Sequence, residues 1–480
     1  MSTKVKILDL YKSARIQEIT EAAIEMEHNG FKIDCDYFNS QAVVANADHE
    51  ACLVKLRHDL AECGIPPLPG IDDVWNSPKQ LVSLLHDSPH GLKLPPSPYW
   101  FKGRVKLDDG ERKTDRTALE WLAGQLGGGT GADVQKGRIV EGLMGLRRIR
   151  SSLKYLEKLP KYVGPDGFVH PVCGPAGDED DRVGAITGRF GMKSPEAQQI
   201  PRDKRKDQYK IRKGFVAPPG MTLVVRDYTA LEVVIMANTA EWLFGDTLLL
   251  ELTAPGMDIH AYNAHRVFGV LLGWLTPSGR RISDVGSLAE FKTDLELSWY
   301  RDAIKAVWYK LQYGGTVHGF ATSLKDEQGN PVGKARAEEI VGGLYEAVPS
   351  VPKWQDFVAR ILRADGGIAA LDGRYADYSS LIARGEWGMS AAERKGQNHP
   401  MQAGGAHVIG CAMVDCLDAP EMHRLGAILE LQVHDELRWR CPEGNSEAVS
   451  NLANEIMSAA FPLKNLRTEG GIGITWHDAK

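Results

Sequence analysis

The spacing of apolar positions changes period several times along the chain, and each change marks an element. In residues 11–62 the apolar side chains Ile16, Ile19, Ala22, Ala23 and Met26 recur three or four apart, which predicts helix, with Gly30 as a stop. Residues 64–112 lose that period. They carry Pro66, Pro67, Pro69, Pro89, Pro95, Pro96 and Pro98, and read as irregular connections around one short helix near Pro78–Leu85. Helical spacing returns over 115–160, broken at Gly127-Gly128-Gly129. Met221–Val225 is a short apolar run of strand type. From Asp258 to about Gly343 the pattern is mostly helical, with a turn-rich insertion near 276–286. A further helix lies within 386–417, and Pro400 is expected to interrupt it. Ile428–Val433 and Leu437–Arg440 predict two strands around a tight turn at His434-Asp435-Glu436. Helix-rich flanks around a few strands predict an α+β fold.

One helix carries more than structure. Arg301, Lys305, Tyr309 and Tyr313 recur every fourth residue, so they share a face over roughly 18 Å at 1.5 Å per residue. Two cations followed by two aromatic rings suit a ligand with an anionic tail and a flat, sugar-bearing head, such as a nucleoside triphosphate. Taken alone, the same pattern also fits an amphipathic helix with solvated charges.

Composition narrows the classes. The chain has 480 residues, is 43% hydrophobic and has a formal net charge of −6. That is ample for two to four domains, and it argues against coating nucleic acid by bulk attraction. No apolar run approaches the ~20 residues of a membrane span, and the first ten residues do not read as a signal peptide. Seven scattered cysteines without a CxxC pair read as reduced thiols in a cytosol-like compartment, so a cytoplasmic location is expected and a zinc site is not. Local charge differs from the total. Lys136, Arg138, Arg147, Arg148, Arg150, Lys154, Lys158 and Lys161 face only Glu141 and Glu157. A second basic run spans Arg202, Lys204, Arg205, Lys206, Lys210, Arg212 and Lys213. Such runs are either solvated surface or a phosphate-backbone track.

Asp227 follows the predicted strand at Met221–Val225, and Asp435 sits at the predicted hairpin turn. Carboxylates from two distant strand ends can hold two Mg²⁺ ions about 4 Å apart, the geometry of in-line phosphoryl transfer. Acids in ordinary surface turns would look the same in isolation.

The surrounding segments decide the matter by resemblance. Asp227-Tyr228-Thr229-Ala230-Leu231-Glu232 resembles motif A of the family A DNA polymerases, the class of bacterial DNA polymerase I and many phage replicases. The helix from Arg301 to Gly314 resembles motif B, and Val433-His434-Asp435-Glu436-Leu437 resembles motif C. In the expected order, Asn76-Ser77-Pro78-Lys79-Gln80-Leu81, Thr187-Gly188-Arg189-Phe190, Gln198-Gln199-Ile200-Pro201-Arg202, Phe215-Val216-Ala217-Pro218, Asp258-Ile259-His260 and the set Arg394, Asn398, Pro400, Met401, Gln402 match as well. The resemblance runs from about residue 15 onward.

What it implies is a right-hand polymerase: an amino-terminal palm-associated segment at 1–40, thumb at 41–165, palm at 166–256 and 411–480 with an antiparallel sheet, and fingers at 257–410. Asp227 and Asp435 are expected to ligate both Mg²⁺ ions, for which Mn²⁺ can substitute, with help from the Tyr228 carbonyl. Arg301, Lys305 and His260 would grip the triphosphate, and Lys305 would donate a proton to departing pyrophosphate. Tyr309 would pack on the incoming nucleotide, and Glu232 would lie where a ribose 2′-hydroxyl clashes. Tyr313 and Gly314 would lie beside the templating base. Arg189, Arg394, Asn398 and Gln402 would contact primer–template DNA, His434 would sit near the primer terminus, and Glu436 joins the catalytic set as an adjacent acid. The basic run from Lys136 to Lys161 falls where the family's thumb meets the duplex backbone.

Departures from the family pattern sharpen these expectations. The polymerase region begins at about residue 15, which leaves no room for an exonuclease domain, so no 3′–5′ editing is expected. A separate exonuclease or a processivity factor is then a candidate partner beside primer–template DNA and deoxynucleotides, and a monomer suffices. Tyr309 stands where many bacterial members carry Phe. Ala230 replaces a usual Gln, Val234 a usual Arg, and Arg226 a small residue. An insertion at about 272–300 carries Arg280-Arg281. The compact, divergent chain is associated with phage members. The alternatives are a gap-filling, translesion or reverse-transcribing enzyme of the same fold, and a degenerate clamp that only binds primer–template.

Overall fold

The computed structural model describes residues 15–65, 77–87, 91–95, 114–127, 131–174, 187–203, 208–312, 314–324, 326 and 332–480. Helix α1 (Ile16–Asn29) buries the predicted stripe of Ile19, Ala22, Ala23 and Met26. It ends at Gly30, whose φ of 53° is left-handed; a Cβ there would lie 2.7–2.8 Å from the His170 ring and the Val169 carbonyl, so the stop needs glycine. The Asp34 carboxylate accepts from Tyr37 N (2.9 Å) and caps α2 (Cys35–Glu62). Ser77 caps the short Pro78–His86 helix in the same way. A helix at Arg116–Gly127 precedes α3 (Ala132–Lys158).

These last helices form their own apolar core. Leu53, Leu56 and Leu60 of α2 meet Ile139, Val140, Leu143 and Leu146 of α3, with Leu81, Leu84, Leu119 and Leu122 closing it. Each fully buried leucine contributes about 1.5–3 kcal/mol. The opposite side of α3 leaves Arg138, Arg148, Arg150, Lys154 and Lys158 exposed, as a basic face.

After the two-stranded ribbon of β1 (Val172–Gly174) and β2 (Gly191–Lys193), β3 (Met221–Tyr228) opens the main sheet. β3 runs three residues further than the apolar run predicts, so Asp227 lies inside the strand and not beyond it. Its interior residues Leu223, Val224 and Val225 are fully buried, and the sheet partners continue past them. Helix α4 (Leu231–Phe244) follows from Ala230, which adopts a left-handed φ of 52°. Val234, where the family usually has Arg, is buried in the main core. Helix α5 (Ile259–Ala264) passes into a π-helical turn at His265–Leu271, and α6 (Leu295–Gln312) follows the insertion. Within that insertion Arg280 pairs with Glu290 at 2.7 Å, and its Trp274, Trp299 and Tyr300 cluster around Phe268 of the preceding turn. The outer side of this cluster is capped by the Arg336 guanidinium, 4.4 Å from the Trp274 ring centre.

A second ribbon, β4 (Gly367–Ala369) with β5 (Tyr375–Asp377), precedes α7 (Glu386–Asp418). Here the expected break fails. α7 runs unbroken for 33 residues with Pro400 inside it. The proline removes one N–H and the helix continues because its flanks are locked by packing. Gly396 admits Leu362 and Val358, Gly404 admits Leu371, and Gly410 admits Ile19, each so closely that a Cβ would fall 2.7–3.0 Å from the neighbour. The hairpin β6 (Ile428–Val433) and β7 (Glu436–Pro442), then α8 (Ser446–Ala459) and β8 (Thr468–Gly473), complete the chain. The main sheet is antiparallel throughout, in the order β6-β7-β3-β8. Glu436 opens β7 instead of lying in the turn, so the turn itself is His434-Asp435. Among the described residues no helix is long and apolar enough to cross a membrane.

Candidate active site

The central strand and the hairpin bring the two expected carboxylates together. Asp227 is the register partner of Glu436, and Tyr228 N donates to the Asp435 carbonyl at 3.0 Å. The turn that presents Asp435 is clamped from outside. His434 has a left-handed φ of 57° and its N–H donates to Gln198 Oε1 (3.1 Å), while Gln198 Nε2 donates to the carbonyl and side-chain oxygens of Gln432, each at 2.7 Å. The segment Gln198–Arg202, noted in the sequence only as a matching motif, therefore fixes the hairpin that bears Asp435.

Asp435 is half-buried. Burial, and then the nearby Glu232 and Asp227 carboxylates, push its carboxyl up to about 7, against the opposing pull of Arg189 and Arg202. Asp227 is 8% exposed, and its Oδ2 receives two cations: Arg202 Nη2 at 2.7 Å and Lys480 Nζ at 3.0 Å. Glu436 is 2% exposed and bonds Trp476 Nε1 (2.6 Å) and Lys480 Nζ, with Arg212 Nη1 at 3.8 Å. Neither Lys480 nor the Arg202–Asp227 pair was legible in the sequence, where Arg202 read as part of a phosphate track. Arg212 leaves that track as well. It is buried with its guanidinium 3.8 Å from the Trp476 ring centre. Lys204, Arg205 and Lys206 lie outside the described residues.

Helix α6 presents the predicted face. Leu297, Ile304, Val307, Trp308 and Leu311 are buried on one side, while Arg301 and Tyr309 are half-buried and Lys305 is exposed on the other. Tyr313 lies outside the described residues. Tyr309 stands close enough to Glu232 and Asp435 for both carboxylates, after burial, to raise its hydroxyl above the usual range. Its ring centre is 5.7 Å from that of His260. Burial and then the Lys305 and Arg301 charges bring His260 down to about 4, with Asp258 opposing, so its imidazole is neutral at physiological pH.

Asp258 joins these parts. One oxygen caps α5 through His260 N and Ala261 N, each at 3.0 Å, and the other binds Arg301 Nε (3.0 Å) and Lys292 Nζ (3.1 Å). Burial alone would raise its carboxyl, but the Ala261 N–H and the two cations outweigh it and hold the carboxyl at about 2. Lys292 comes from the insertion, which thus reaches the cationic face.

The remaining expected residues fall into two groups. Arg189 Nη2 is paired with Glu232 Oε1 at 2.5 Å, so here it faces the carboxylate. Arg394, Asn398 and Gln402 are half-buried at four-residue spacing on α7. Gly314 (φ 71°) packs on Arg394 so tightly that a Cβ would lie 2.7 Å from the Arg394 Cα. Gly314→Ala is therefore expected to lose at least about 1 kcal/mol of stability from the left-handed backbone alone, read as a lowered thermal midpoint; an unchanged midpoint would contradict this packing. The Arg226 side chain turns away from the acids and bonds Thr468 Oγ1 and Asn454 Oδ1 (3.0 and 2.6 Å), tying β3 to β8 and α8.

No group of three or more His, Cys, Asp or Glu side chains arranged to hold a metal occurs among the described residues. The candidate donor set is two aspartates, Asp227 and Asp435, and the Tyr228 carbonyl. That suits Mg²⁺, which is commonly held by one or two carboxylates with waters and substrate phosphates completing the shell. The carboxylate crowding that raises Asp435 is what a divalent cation would relieve.

Known proteins resemble this chain in sequence and in fold. The family described as DNA polymerase family A matches residues 70–285 and 289–478. The thermostable DNA polymerase I of Thermus filiformis is 31% identical over 408 residues, covering 84% of this chain and 42% of that protein. The thermostable DNA polymerase I of Thermus aquaticus is 28% identical over 480 residues (99% and 49%), and DNA polymerase I of Geobacillus stearothermophilus is 27% identical over 467 (97% and 45%). The chain spans about half the length of these relatives. A solved structure, the POL domain of Pol1 from M. smegmatis in complex with DNA primer-template and dNTP, superposes with a TM-score of 0.76 over 96% of this chain and 70% of that one, at 24% identity, which speaks for the fold. With the paired aspartates, the cationic helix and the clamped hairpin set in a matching α+β polymerase fold, the chain belongs to DNA polymerase family A.

Proposed function

We propose that this chain is a template-directed DNA polymerase that adds deoxynucleotides to a primer 3′-OH by phosphoryl transfer assisted by two metal ions. The observation that carries the reading is the meeting of two surfaces. Tyr309, on the α6 face that also bears Arg301 and Lys305, has its ring centre 5.7 Å from that of His260 and lies near enough to Glu232 and Asp435 for these carboxylates, after burial, to raise its hydroxyl. A triphosphate on that face would present its α-phosphate to the acids. Two Mg²⁺ or Mn²⁺ ions, held by Asp227, Asp435 and the Tyr228 carbonyl, would activate the attacking hydroxyl and neutralise charge on the leaving group.

The chain's own groups supply the rest. Arg301, prealigned by Asp258, and the neutral His260 N–H would bind phosphate oxygens. Lys305, exposed at the rim, would deliver a proton to pyrophosphate. Tyr309 would pack on the sugar and base, and Glu232, held by Arg189, would occupy the space of a 2′-hydroxyl. Release of Arg189 from Glu232, with Asn398 and Gln402 on α7, would supply minor-groove contacts that sense pairing geometry. The basic face of α3 would follow the duplex backbone, and His434 would lie at the primer end. In this reading residues 1–40 are a palm-associated segment, 41–165 thumb, 166–256 and 411–480 palm, and 257–410 fingers. Extension in this reading proceeds without 3′–5′ editing by this chain.

The test is extension of a 5′-labelled primer with Mg²⁺ and deoxynucleotides, beside Asp227→Ala and with a 3′-mismatched primer. Template-dependent extension lost in the variant, with the mismatched primer unshortened, is the expected result. Absence of extension with either metal would reject the reading, and shortening would reject its editing-free part.

Tyr309 gives a sharper check. Its hydroxyl can replace the interaction of a missing 3′-OH, so efficient chain termination by dideoxynucleotides is expected. Tyr309→Phe should raise discrimination against them by about tenfold or more, the worth of one hydrogen bond in such a site. Equal termination ratios for both proteins would refute that role.

A further inference from the structure

Lys480 sits where nothing in the expected catalytic set calls for a cation. It is delivered by a segment with fixed geometry. Trp476, fully buried, donates its indole N–H to Glu436 and packs on Phe215 with ring centres 5.1 Å apart. Its backbone N–H donates to the Phe215 carbonyl (2.9 Å), and the His477 ring bonds Asp203 Oδ2 at 3.0 Å. Ala479 is fully buried against Gly473, where a Cβ would fall 2.6 Å from Ala479 N. From this anchor the Lys480 ammonium reaches both Asp227 Oδ2 (3.0 Å) and Glu436 Oε2.

The two contacts differ in kind. Asp227 Oδ2 also carries Arg202, and a divalent ion on that oxygen would meet two positive groups within about one ligand radius. Glu436 lies outside the expected metal ligands and is otherwise held by Trp476 and Arg212. It already shares the ammonium with Asp227, so Lys480 keeps a partner if a divalent ion takes the Asp227 oxygen. Arg202 is mostly exposed and can swing into solvent, whereas the Lys480 side chain is three-quarters buried and keeps Glu436 as a partner when it gives up Asp227.

We propose that Lys480 is a placeholder cation: it neutralises Asp227 while the site is metal-free and retires onto Glu436 when a divalent ion enters. It is a positioning residue, and Glu436 is its parking site. This rests on the two-metal reading of the Asp227–Asp435 site.

The test is Mn²⁺ binding to the DNA-free chain, counted by electron paramagnetic resonance of free Mn²⁺. Lys480→Gln is expected to bind Mn²⁺ about fivefold more tightly, the range of a partly solvated ion pair, and Lys480→Arg to restore the weaker binding. Glu436→Gln should weaken binding, because Lys480 loses its alternative partner; a merely structural Lys480 would leave all three affinities alike. Circular dichroism of each variant identifies one that fails to fold, and Lys480→Arg keeps the proposal open to test in that case. Unchanged or weaker binding by folded Lys480→Gln, while Asp227→Asn abolishes binding, overturns the placeholder alone. Binding that survives Asp227→Asn, or none in the parent protein, overturns the metal-site reading and the placeholder with it.

Discussion

Replacing Asp435 by Asn is expected to reduce primer extension on the order of 10³-fold or more, and at the same time to make the metal-free protein more stable at pH 8. The first effect follows from losing one of two carboxylates in the proposed metal pair, a loss of several kcal/mol of transition-state stabilisation. The second follows from the electrostatics of the folded state. The Asp435 carboxyl holds its proton up to about 7, because burial and the Glu232 and Asp227 carboxylates disfavour its charge more than Arg189 and Arg202 favour it. The unfolded value is about 3.9. The folded form therefore binds the extra proton, and its stabilising contribution is complete below about pH 4. It is lost as pH rises through about 7. After allowance for solvent at this half-buried turn, roughly 1–2 kcal/mol is at stake. Calorimetry of the metal-free parent should show its thermal midpoint falling across that interval, and the Asn variant should lack the fall. Equal profiles would mean that the three acids do not repel as their placement demands. Added Mg²⁺ should restore the parent and leave the variant unmoved.

Glu430→Ala is expected to destabilise the main core by about 3–5 kcal/mol, the range for removing one partner of a buried ion pair. Glu430 is fully buried in β6 and bridges Arg438 Nε (3.2 Å) and Arg440 Nη1 (2.9 Å) of β7. Arg440 also donates to the Gly30 carbonyl (3.0 Å), which joins the β6–β7 hairpin to the end of α1. Arg438 is 1% exposed and its guanidinium lies 4.9 Å from the Trp476 ring centre. Without Glu430 two guanidinium groups would be left in an apolar interior. The penalty comes from the unpaired charges more than from the lost attraction, so replacing all three residues by apolar ones of similar volume should recover most of the stability. Urea denaturation followed by near-ultraviolet circular dichroism separates the cases. A single variant as stable as the parent would show that water reaches these arginines.

The parts of this architecture that were legible in the sequence are those whose signal is local. The α6 face could be read because Arg301, Lys305 and Tyr309 repeat at helical spacing against an apolar opposite face. The hairpin could be read because two apolar runs flank a short polar turn. The ends of the strands could not be placed, since Asp227 and Glu436 are polar residues inside strands and pairing across the sheet, not polarity, sets where a strand stops. Pro400 misled because a local rule was overridden by packing along both sides of a long helix. Arg202 and Lys480 were invisible as partners of Asp227. A cation near an acid in space leaves no periodic trace, and a basic run reads the same whether it faces phosphate or a carboxylate. Asp258 was legible as a helix start, but its grip on Arg301 and Lys292 depends on an insertion with no recognisable pattern.

The unbroken α7 rod has a mechanical consequence. At 33 residues it is about 50 Å long, and it is pinned near both ends. Arg394 is pressed against Gly314 at one end, and at the other Gly410 receives Ile19 while Asp415 is paired with Arg15 at 2.5 Å. A strut with such stops passes a shift of α6 along its length by sliding or tilting, with Pro400 as its weakest point against bending. Movement of α6 would then be passed on some tens of ångströms away as a change in how α1 seats, and residues around Ile19 would set the stiffness against which the α6 end works.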